Sequence, residues 1–505
     1  MKKFALISVS DKSGIIDFAK EIADLGYEIL ATGNTAKLIT ENNIHCTEVS
    51  SYTGFPEIFS GRVKTLQPEI FGGILMRTNN EVDLKEAKDN NISPIEIVCV
   101  NFYPFPKVVD REDLDLQTKI ENIDIGGPSL IRAAAKNYKF VSVLTNPDQY
   151  PSFIQELKTG NVELATKQKL AAEAFSHTSY YDTLIANFLE KTFEVEPKNL
   201  RINLKLDQTL RYGENPHQKA YLFGNFASYF KILHGKGVSY NNIIDLVAAV
   251  ELVNELEPNS CAIIKHTNPC GAAVGTNTLD AYTKALTCDP VSAFGGIVAF
   301  NGTVDKAAAE KLNEIFLEIV VAPDFTKDAL ELLFTKKNRR LVQQIKDLQT
   351  DELMIKNIPG GIIAQTKDDS ILTNDILKTV TKTNPTKADI EDLKFAWTIC
   401  KHTKSNTIIY AKDKKILGVG AGQMSRVDSA KIGAIKAKEF GHDLKNAVAA
   451  SDAYFPFADG LLEIISHGIT AVIQPGGSVR DEEVIKAADE NNISMIFTGI
   501  RNFKH

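Results

Sequence analysis

At 505 residues the chain is too long for one hydrophobic core, and roughly two to four domains are expected. Apolar residues (44%) and charged residues (24%) stand in the proportions of an ordinary globular protein, and a formal net charge of −7 excludes a general pull toward nucleic acid or an anionic membrane. Cys46, Cys99, Cys261, Cys270, Cys288 and Cys400 are scattered and lie mostly in apolar runs, so they read as reduced core thiols of a cytoplasmic protein.

Lys2-Lys3 ahead of Phe4–Val9 mimics the start of a signal peptide, but the apolar run is too short and Ser10-Asp11-Lys12 ends it. It reads instead as a buried strand, and no later run is long enough to span a membrane. Ile15, Phe18, Ala19, Ile22 and Leu25 recur at helical spacing until Gly26 stops the helix. Tyr27–Ala31 reads as a second strand, and Thr32-Gly33-Asn34-Thr35 leads into a helix from Ala36. This alternation predicts parallel strands joined by crossovers. Both loops suit a phosphate, with small residues, hydroxyls, the free N–H groups of a helix start and the charge of Lys12. The same Ser and Thr residues equally suit plain helix caps.

In Ser60-Gly61-Arg62-Val63-Lys64-Thr65 the basic and hydroxyl side chains suit an anion, although a lone basic cluster is usually a solvated face. Ile95–Asn101 reads as a strand ending in Phe102-Tyr103-Pro104-Phe105. Ile123-Asp124-Ile125-Gly126-Gly127-Pro128 opens a helix that ends near Lys136-Asn137. Lys64, Tyr103, Asp124 and Lys136 are thus four ionisable groups at or near element ends. Brought together, they could move protons and stabilise developing negative charge. Residues after about 160 read as long packing or linking helices.

The second part begins around residue 196. Arg211-Tyr212-Gly213-Glu214-Asn215-Pro216-His217-Gln218 is a polar, turn-rich loop suited to binding or to an ordinary surface. Leu246–Leu256 reads as an amphipathic helix, and Cys261–Ile264 as a buried strand that ends in Lys265-His266-Thr267-Asn268-Pro269. Strand ends are where α/β proteins place their chemistry, and His266 is a candidate proton carrier near neutral pH. On its own the pair reads as well as a surface lysine and a capping histidine. Phe294-Gly295-Gly296 precedes a strand at Ile297–Phe300, and helical patterns fill 305–318 and 326–348.

Periodicity fades from Gln365 to Asp389, which reads as a link between subdomains. Lys401-His402-Thr403 repeats Lys265-His266-Thr267, and the glycines of Gly418–Gly422 answer those of Gly271–Gly275. This echo suggests duplicated α/β subdomains. Tyr454–Asp459 leads into a helix. Ile469–Ile473 reads as a strand before Gln474-Pro475-Gly476-Gly477-Ser478, with Ser478 and Asp481 as a near capping box. Met495–Thr498 is the last expected strand, with Arg501 and His505 beyond it.

Taken in order, SVSDKSG (8–14), ATGNTAK (31–37), GRVKTLQP (61–68), NFYPF (101–105), IDIGGPSLIRAAAKN (123–137), RYGENPHQ (211–218), IIKHTNPCG (263–271), SAFGGIVAF (292–300), KSNTI (404–408) and IQPGGSVRD (473–481) cover nearly the whole chain. On these runs the chain resembles the bifunctional purine-biosynthesis family that combines phosphoribosylaminoimidazolecarboxamide formyltransferase with IMP cyclohydrolase. Gln67 stands where that family has His, Phe102 where it has Leu, and Asn502 where His is common.

The resemblance implies an α/β chain: a methylglyoxal-synthase-like cyclohydrolase domain over 1–195, then two cytidine-deaminase-like transformylase subdomains over 196–375 and 376–505. It implies that a formyl group passes from the co-substrate 10-formyltetrahydrofolate to the amine of 5-aminoimidazole-4-carboxamide ribonucleotide (AICAR), and that the product then closes to IMP. Lys265 and His266 would carry the transfer, with Asn406 assisting and His505 nearby. Arg211, Tyr212, Asp459 and Arg501 would hold the nucleotide, and Phe294, Gly295 and Glu318 would face the folate. Lys64, Tyr103, Asp124 and Lys136 would close the ring. Ser10, Lys12, Thr32, Gly33, Thr35, Arg62, Thr65, Gly126 and Gly127 would bind substrate there. A homodimer is implied, with no nucleic-acid or membrane partner. Pro269-Cys270 lacks the second cysteine of a deaminase zinc motif and no His-x-Glu precedes it, so no catalytic metal is expected. A rival reading makes the first domain an effector sensor. A sensor needs the phosphate loops but not a Lys–Tyr–Asp–Lys set, and this sequence has both.

Overall fold

The strand expected at the start of the chain lies at the centre of the first sheet. A computed structural model describes residues 2–348 and 353–505. The chain divides into two compact units, Met1–Leu204 and Lys205–His505.

The first unit opens with β1 (Phe4–Ser8), α1 (Ile15–Asp24), β2 (Glu28–Ala31), α2 (Gly33–Glu41), β3 (Thr47–Glu48) and α3 (Val49–Thr53). It continues with α4 (Pro68–Leu75), α5 (Glu81–Asp89), β4 (Ile95–Val100), α6 (Phe105–Val108), α7 (Leu116–Glu121) and α8 (Gly126–Lys136). It closes with β5 (Ser142–Leu144), α9 (Tyr150–Leu157) and the long α10 (Leu164–Thr192). The strands lie in the order β3-β2-β1-β4-β5, and each neighbouring pair is parallel. Ala5, Leu6, Ile7, Val98 and Cys99 are fully buried, as a sheet covered on both faces requires. The chain runs outward from β1 in one direction and then, from β4, in the other. Loops leaving β1 and β4 therefore part at the carboxyl ends of these strands and open a crevice.

In the second unit β6 (Leu206–Leu210) and β7 (Ala220–Phe223) form a separate hairpin sheet. Next come β8 (Phe230–His234), α11 (Tyr240–Asn254), β9 (Ser260–Lys265), β10 (Asn268–Val274), α12 (Thr278–Leu286) and α13 (Pro290–Ala293). Then follow β11 (Ile297–Phe300), α14 (Lys306–Leu312), β12 (Ile319–Ala322), α15 (Lys327–Leu333) and β13 (Arg340–Gln344). An exposed hairpin of β14 (Leu353–Ile358) and β15 (Gly361–Thr366) leads to β16 (Lys378–Thr379), α16 (Lys387–Lys401), β17 (Ile408–Lys412) and β18 (Lys415–Gly420). The remainder is α17 (Arg426–Glu439), β19 (Val448–Ser451), α18 (Ala458–Ile465), β20 (Ala471–Gln474), α19 (Asp481–Glu490) and β21 (Ser494–Phe497).

One twelve-stranded sheet runs through this unit in the order β16-β21-β20-β19-β17-β18-β10-β9-β11-β12-β13-β8. Its halves are copies of one topology. Each has an edge strand, a helix, an antiparallel hairpin and three parallel strands reached through helices; the short α13 alone has no counterpart. The halves meet where β10 and β18 pair antiparallel at Ala273 and Lys415.

The glycine part of the sequence echo falls on equivalent positions. Gly271 in β10 and Gly418 in β18 each stand four residues beyond their hairpin turn. A methyl group on Gly271 would lie 2.1 Å from the Ala285 carbonyl oxygen of α12, and one on Gly418 2.2 Å from that of Gly433 in α17. These glycines lie in strands, not turns, and let a helix press directly onto the sheet. The Lys-His-Thr part of the echo does not survive. Lys265 ends a strand, whereas Lys401 ends helix α16. The true counterpart of the His266-Thr267 turn is Asp413-Lys414. All four residues have left-handed backbone, with φ of 51°, 63°, 53° and 50°.

Two further expectations are corrected. The stretch 326–348 is not all helix, because Arg340–Gln344 forms β13 beside β12. Ser478 and Asp481 form no capping box: Arg480 is the residue preceding α19, and the Asp481 carboxylate accepts the Gly477 N–H at 2.7 Å.

Candidate active sites

In the first unit, three loops meet at the carboxyl edge of the parallel sheet. The Ser8 and Thr32 hydroxyls are 2.8 Å apart across β1 and β2. Lys12 donates to the Thr35 hydroxyl at 2.7 Å and also to the Val9 carbonyl, and burial lowers its pKa. The Asn101 carboxamide, just after β4, accepts the N–H groups of Ser10 (2.6 Å) and Asp11 (2.9 Å) and donates to the Asp11 carbonyl at 3.0 Å. Asn101 therefore ties the two sides of the crevice together. Thr32 and Gly33 form the start of α2, where N–H groups are free for an anion.

The 58–65 segment closes on itself through a bridge between Ile58 and Val63. Lys64 reaches back so that its Nζ lies 3.6 Å from the Glu57 carboxylate. A methyl on Gly61 would stand 2.6 Å from Lys64 Cε, so that glycine leaves room for the lysine. Arg62 forks onto Glu121 of α7 through two oxygens. Thr65 is buried against the start of α8, where a methyl on Gly126 would meet its hydroxyl at 2.9 Å.

Asp124 stands just ahead of α8, and its carboxylate accepts the Gly127 N–H at 2.8 Å. Burial raises the carboxyl above its usual range, while N–H groups of Gly127, Tyr103 and Gly126 and the charge of Lys64 pull it down. Lys64, Tyr103 and Asp124 thus belong to one neighbourhood. Lys136 does not join them within this chain. It occupies the last turn of α8, and the rise of the helix separates it from Asp124 by about 15 Å. It lines a cavity of about 640 Å³ with Phe71, Leu75, Arg132, Tyr138 and Phe175.

In the second unit, strand direction decides the arrangement. β9 runs antiparallel to β11, so Lys265 at its end lies beside the start of β11. The Lys265 ammonium donates to the Phe294 carbonyl at 2.9 Å, and a methyl on Gly295 would lie 3.1 Å from that nitrogen. The Phe294 and Phe316 rings are 5.5 Å apart, and Arg340 pairs with Glu318 at 2.8 Å. Lys265, Phe294, Gly295 and Glu318 therefore lie at the amino ends of the parallel strands in this half, not the carboxyl ends.

β9, β10, β18 and β17 pair antiparallel in succession, so β17 runs opposite to β9 and Asn406, ahead of β17, lies on the rim where Lys265 ends β9. The Asn406 amide donates to the carbonyls of Gln423 (2.9 Å) and Met424 (3.1 Å). Asp459, exposed in the first turn of α18, and Arg501, beyond β21, follow strand ends on this rim. The tail is docked. Asn502 is 1% exposed and donates its N–H to the Asp452 carbonyl at 2.9 Å, while Ser405 and Lys504 exchange bonds of 2.9 and 3.1 Å. The His505 carbonyl accepts from Lys356 at 3.5 Å. Arg211 and Tyr212 lie in the β6–β7 connection, which is tied to the first turn of α11 by Asn241, donating to the Glu214 carbonyl at 3.2 Å.

The sequence reading missed Glu57, Asn101, Tyr181 and Asn268. Tyr181 sits in α10, read only as packing or linking; its hydroxyl accepts the Asp124 N–H at 2.8 Å, and burial pushes its pKa up to about 12. Asn101 in NFYPF and Asn268 in IIKHTNPCG carried no expected role. Among the described residues, no group of three or more His, Cys, Asp or Glu side chains is arranged to hold a metal ion.

Residues 14–129 match the family described as MGS-like domain, and residues 134–436 match the AICARFT/IMPCHase bienzyme family. The protein is accordingly a bifunctional enzyme, a formyltransferase and a cyclohydrolase in one α/β chain. It is 49% identical over 518 aligned residues to a protein of Chlorobium chlorochromatii named bifunctional purine biosynthesis protein PurH, covering 100% of this chain and 99% of that one. Proteins of the same name from Persephonella marina (48% identity) and Thermoanaerobacter sp. (49%) are each covered over 100% of both chains. The chain belongs to the PurH family. It carries AICAR formyltransferase and IMP cyclohydrolase activities, with 10-formyltetrahydrofolate as co-substrate. The sensor reading of the first domain falls away.

Proposed function

We propose that the two steps take place at the two clusters just described. In formyl transfer, the AICAR amine attacks the formyl carbon of 10-formyltetrahydrofolate. That amine is a weak nucleophile because the ring withdraws its electrons, so a base must take its proton. His266 fills that role. Lys265 supplies positive charge beside the tetrahedral oxyanion, Asn406 assists, and His505 completes the pocket. The C–N bond to the folate then breaks and its nitrogen leaves protonated. Arg211, Tyr212, Asp459 and Arg501 hold the nucleotide, and Phe294, Gly295 and Glu318 face the folate. The observation that carries this reading is the shared rim: β17 runs opposite to β9, so Asn406 before β17 and Lys265-His266 after β9 lie at the same edge.

In cyclisation the carboxamide nitrogen attacks the formyl carbon and water is lost. Asp124, held above the usual carboxylate range, and Tyr103 move protons, while Lys64 stabilises developing charge. Ser10, Lys12, Thr32, Gly33, Thr35, Arg62 and Thr65 bind the phosphate, with Gly126 and Gly127 lining the start of α8. Arg62 must exchange Glu121 for the phosphate. Lys136 enters this reading only from a second copy of the chain, which fits a homodimer. Mixing Lys136→Ala with Asp124→Asn protein would then restore part of the cyclisation that each lacks, and no recovery would remove Lys136 from the set.

The organisation into 1–195, 196–375 and 376–505, the last two cytidine-deaminase-like, is supported for those two by the repeated topology of the sheet halves. A cytoplasmic location agrees with six free cysteines. The decisive test is His266→Ala. Formyl transfer should fall about a hundred- to ten-thousand-fold, while cyclisation of supplied formylated intermediate stays intact. Equal loss of both activities in a folded protein would end the two-site reading.

A further inference from the structure

Lys265-His266 and Asn406 share a rim, but the sheet alone does not bring them within reach. β9 and β17 are separated by β10 and β18, three strand steps of about 4.8 Å each. What closes the gap at the rim is the side chain of Asn268. Its amide nitrogen donates to the His266 carbonyl at 3.2 Å, and its oxygen accepts the Lys404 backbone N–H at 3.0 Å. Lys404 is followed by Ser405, which the tail grips through Lys504, and then by Asn406.

We propose that Asn268 is a positioning residue for formyl transfer, fixing the turn that carries His266 against the segment that carries Asn406. The inference rests on the reading that His266 and Asn406 serve that reaction. A carboxamide is the chemistry the place requires, with one donor and one acceptor on a short, planar group. Aspartate keeps only the acceptor and would set a carboxylate oxygen against the His266 carbonyl. The fold itself does not need the amide. The matching first residue of the hairpin's second strand in the other half is Lys415, and that half folds the same way. Asn268 therefore belongs to the site and not to the architecture.

The test uses the full-length protein. Asn268→Ala and the near-isosteric Asn268→Asp should each lower kcat for formyl transfer about 10- to 100-fold, the effect expected of a misplacement near 1 Å. KM for the nucleotide should change much less, and cyclisation of the supplied intermediate should match wild type. A purely structural role would instead lower the melting temperature and both activities together. His266→Ala is run in parallel. If it retains transfer, the site reading fails. If it loses transfer while both Asn268 variants keep wild-type kcat, the positioning role alone is overturned. Should Asn268→Ala fail to fold, Asn268→Asp decides on the same criteria.

Discussion

Asp245 and Asp392 occupy the same place in the two halves of the second unit. Asp245, on α11, accepts the Thr267 N–H at 2.8 Å; Asp392, on α16, accepts the N–H groups of Asp413 (2.9 Å) and Lys414 (2.7 Å). Each carboxylate pins the left-handed turn of the hairpin that follows its helix. A hydrogen bond to a charged group contributes about 1.5–3 kcal/mol, so both alanine variants should be less stable. Their kinetics should separate. Asp245→Ala frees the turn beside His266 and should slow formyl transfer. Asp392→Ala acts on the far rim and should lower the melting temperature by several degrees at unchanged kcat. Parallel kinetics for the two variants would contradict the assignment of the rims.

Gly418→Ala should destabilise more than an ordinary surface change. Its methyl would meet the Gly433 carbonyl at 2.2 Å, and helix backbone cannot yield as a side chain can. Overpacking typically costs about 1–3 kcal/mol and more where backbone must move. Chemical denaturation should show a lower midpoint with unchanged slope, and a midpoint equal to wild type would show that α17 slides without cost.

Asp124 offers a prediction in which stability and activity part. Its folded-state pKa is raised, so the protonated carboxyl favours the fold, and that contribution is lost as pH rises from the unfolded value of 3.8 through the folded one. Asparagine keeps an oxygen for the Gly127 N–H and carries no buried charge. Asp124→Asn should therefore be at least as stable as wild type at pH 7, while cyclisation falls about a hundred-fold or more. In wild type the acid limb of the cyclisation profile should lie above the ordinary carboxylate range. A variant that loses stability and activity in step would argue for a structural Asp124.

Removing only His505 should leave the tail docked, because Asn502 and Lys504 make the anchoring bonds. The melting temperature should hardly move. Formyl transfer should weaken, as a fall in kcat if His505 orients the reacting groups and as a rise in nucleotide KM if it only binds. Transfer kinetics unchanged at limiting nucleotide would return His505 to an ordinary chain end.

Local signals carried much of this architecture. Phe4–Ser8 and Ile95–Val100 are apolar but for Ser8 and Glu96 and declared themselves as buried strands. The glycine loops after β1 and β2 marked helix starts. β13 escaped because RLVQQ mixes polar and apolar residues without a clear period and follows a basic run. Tyr181 was hidden as one aromatic among the 29 residues of α10. Asn268 looked like a turn former, because its partner Lys404 lies 136 residues away. The Lys-His-Thr echo misled for a related reason: three matching letters say nothing about whether a strand or a helix carries them. Strand direction, which sets the rim, is a property of the sheet and no segment contains it.

The two left-handed turns show what a repeated frame leaves open. Two halves of one topology, joined antiparallel, set their hairpin turns on opposite rims. In the present chain their backbones still agree within about 13° in φ at each residue, yet one bears an exposed histidine beside Lys265 while Lys414 in the other is locked to Glu257 at 2.6 Å and Glu391 at 3.2 Å. One backbone form thus serves two uses: one turn holds an imidazole out to solvent, while the other is riveted by two carboxylates.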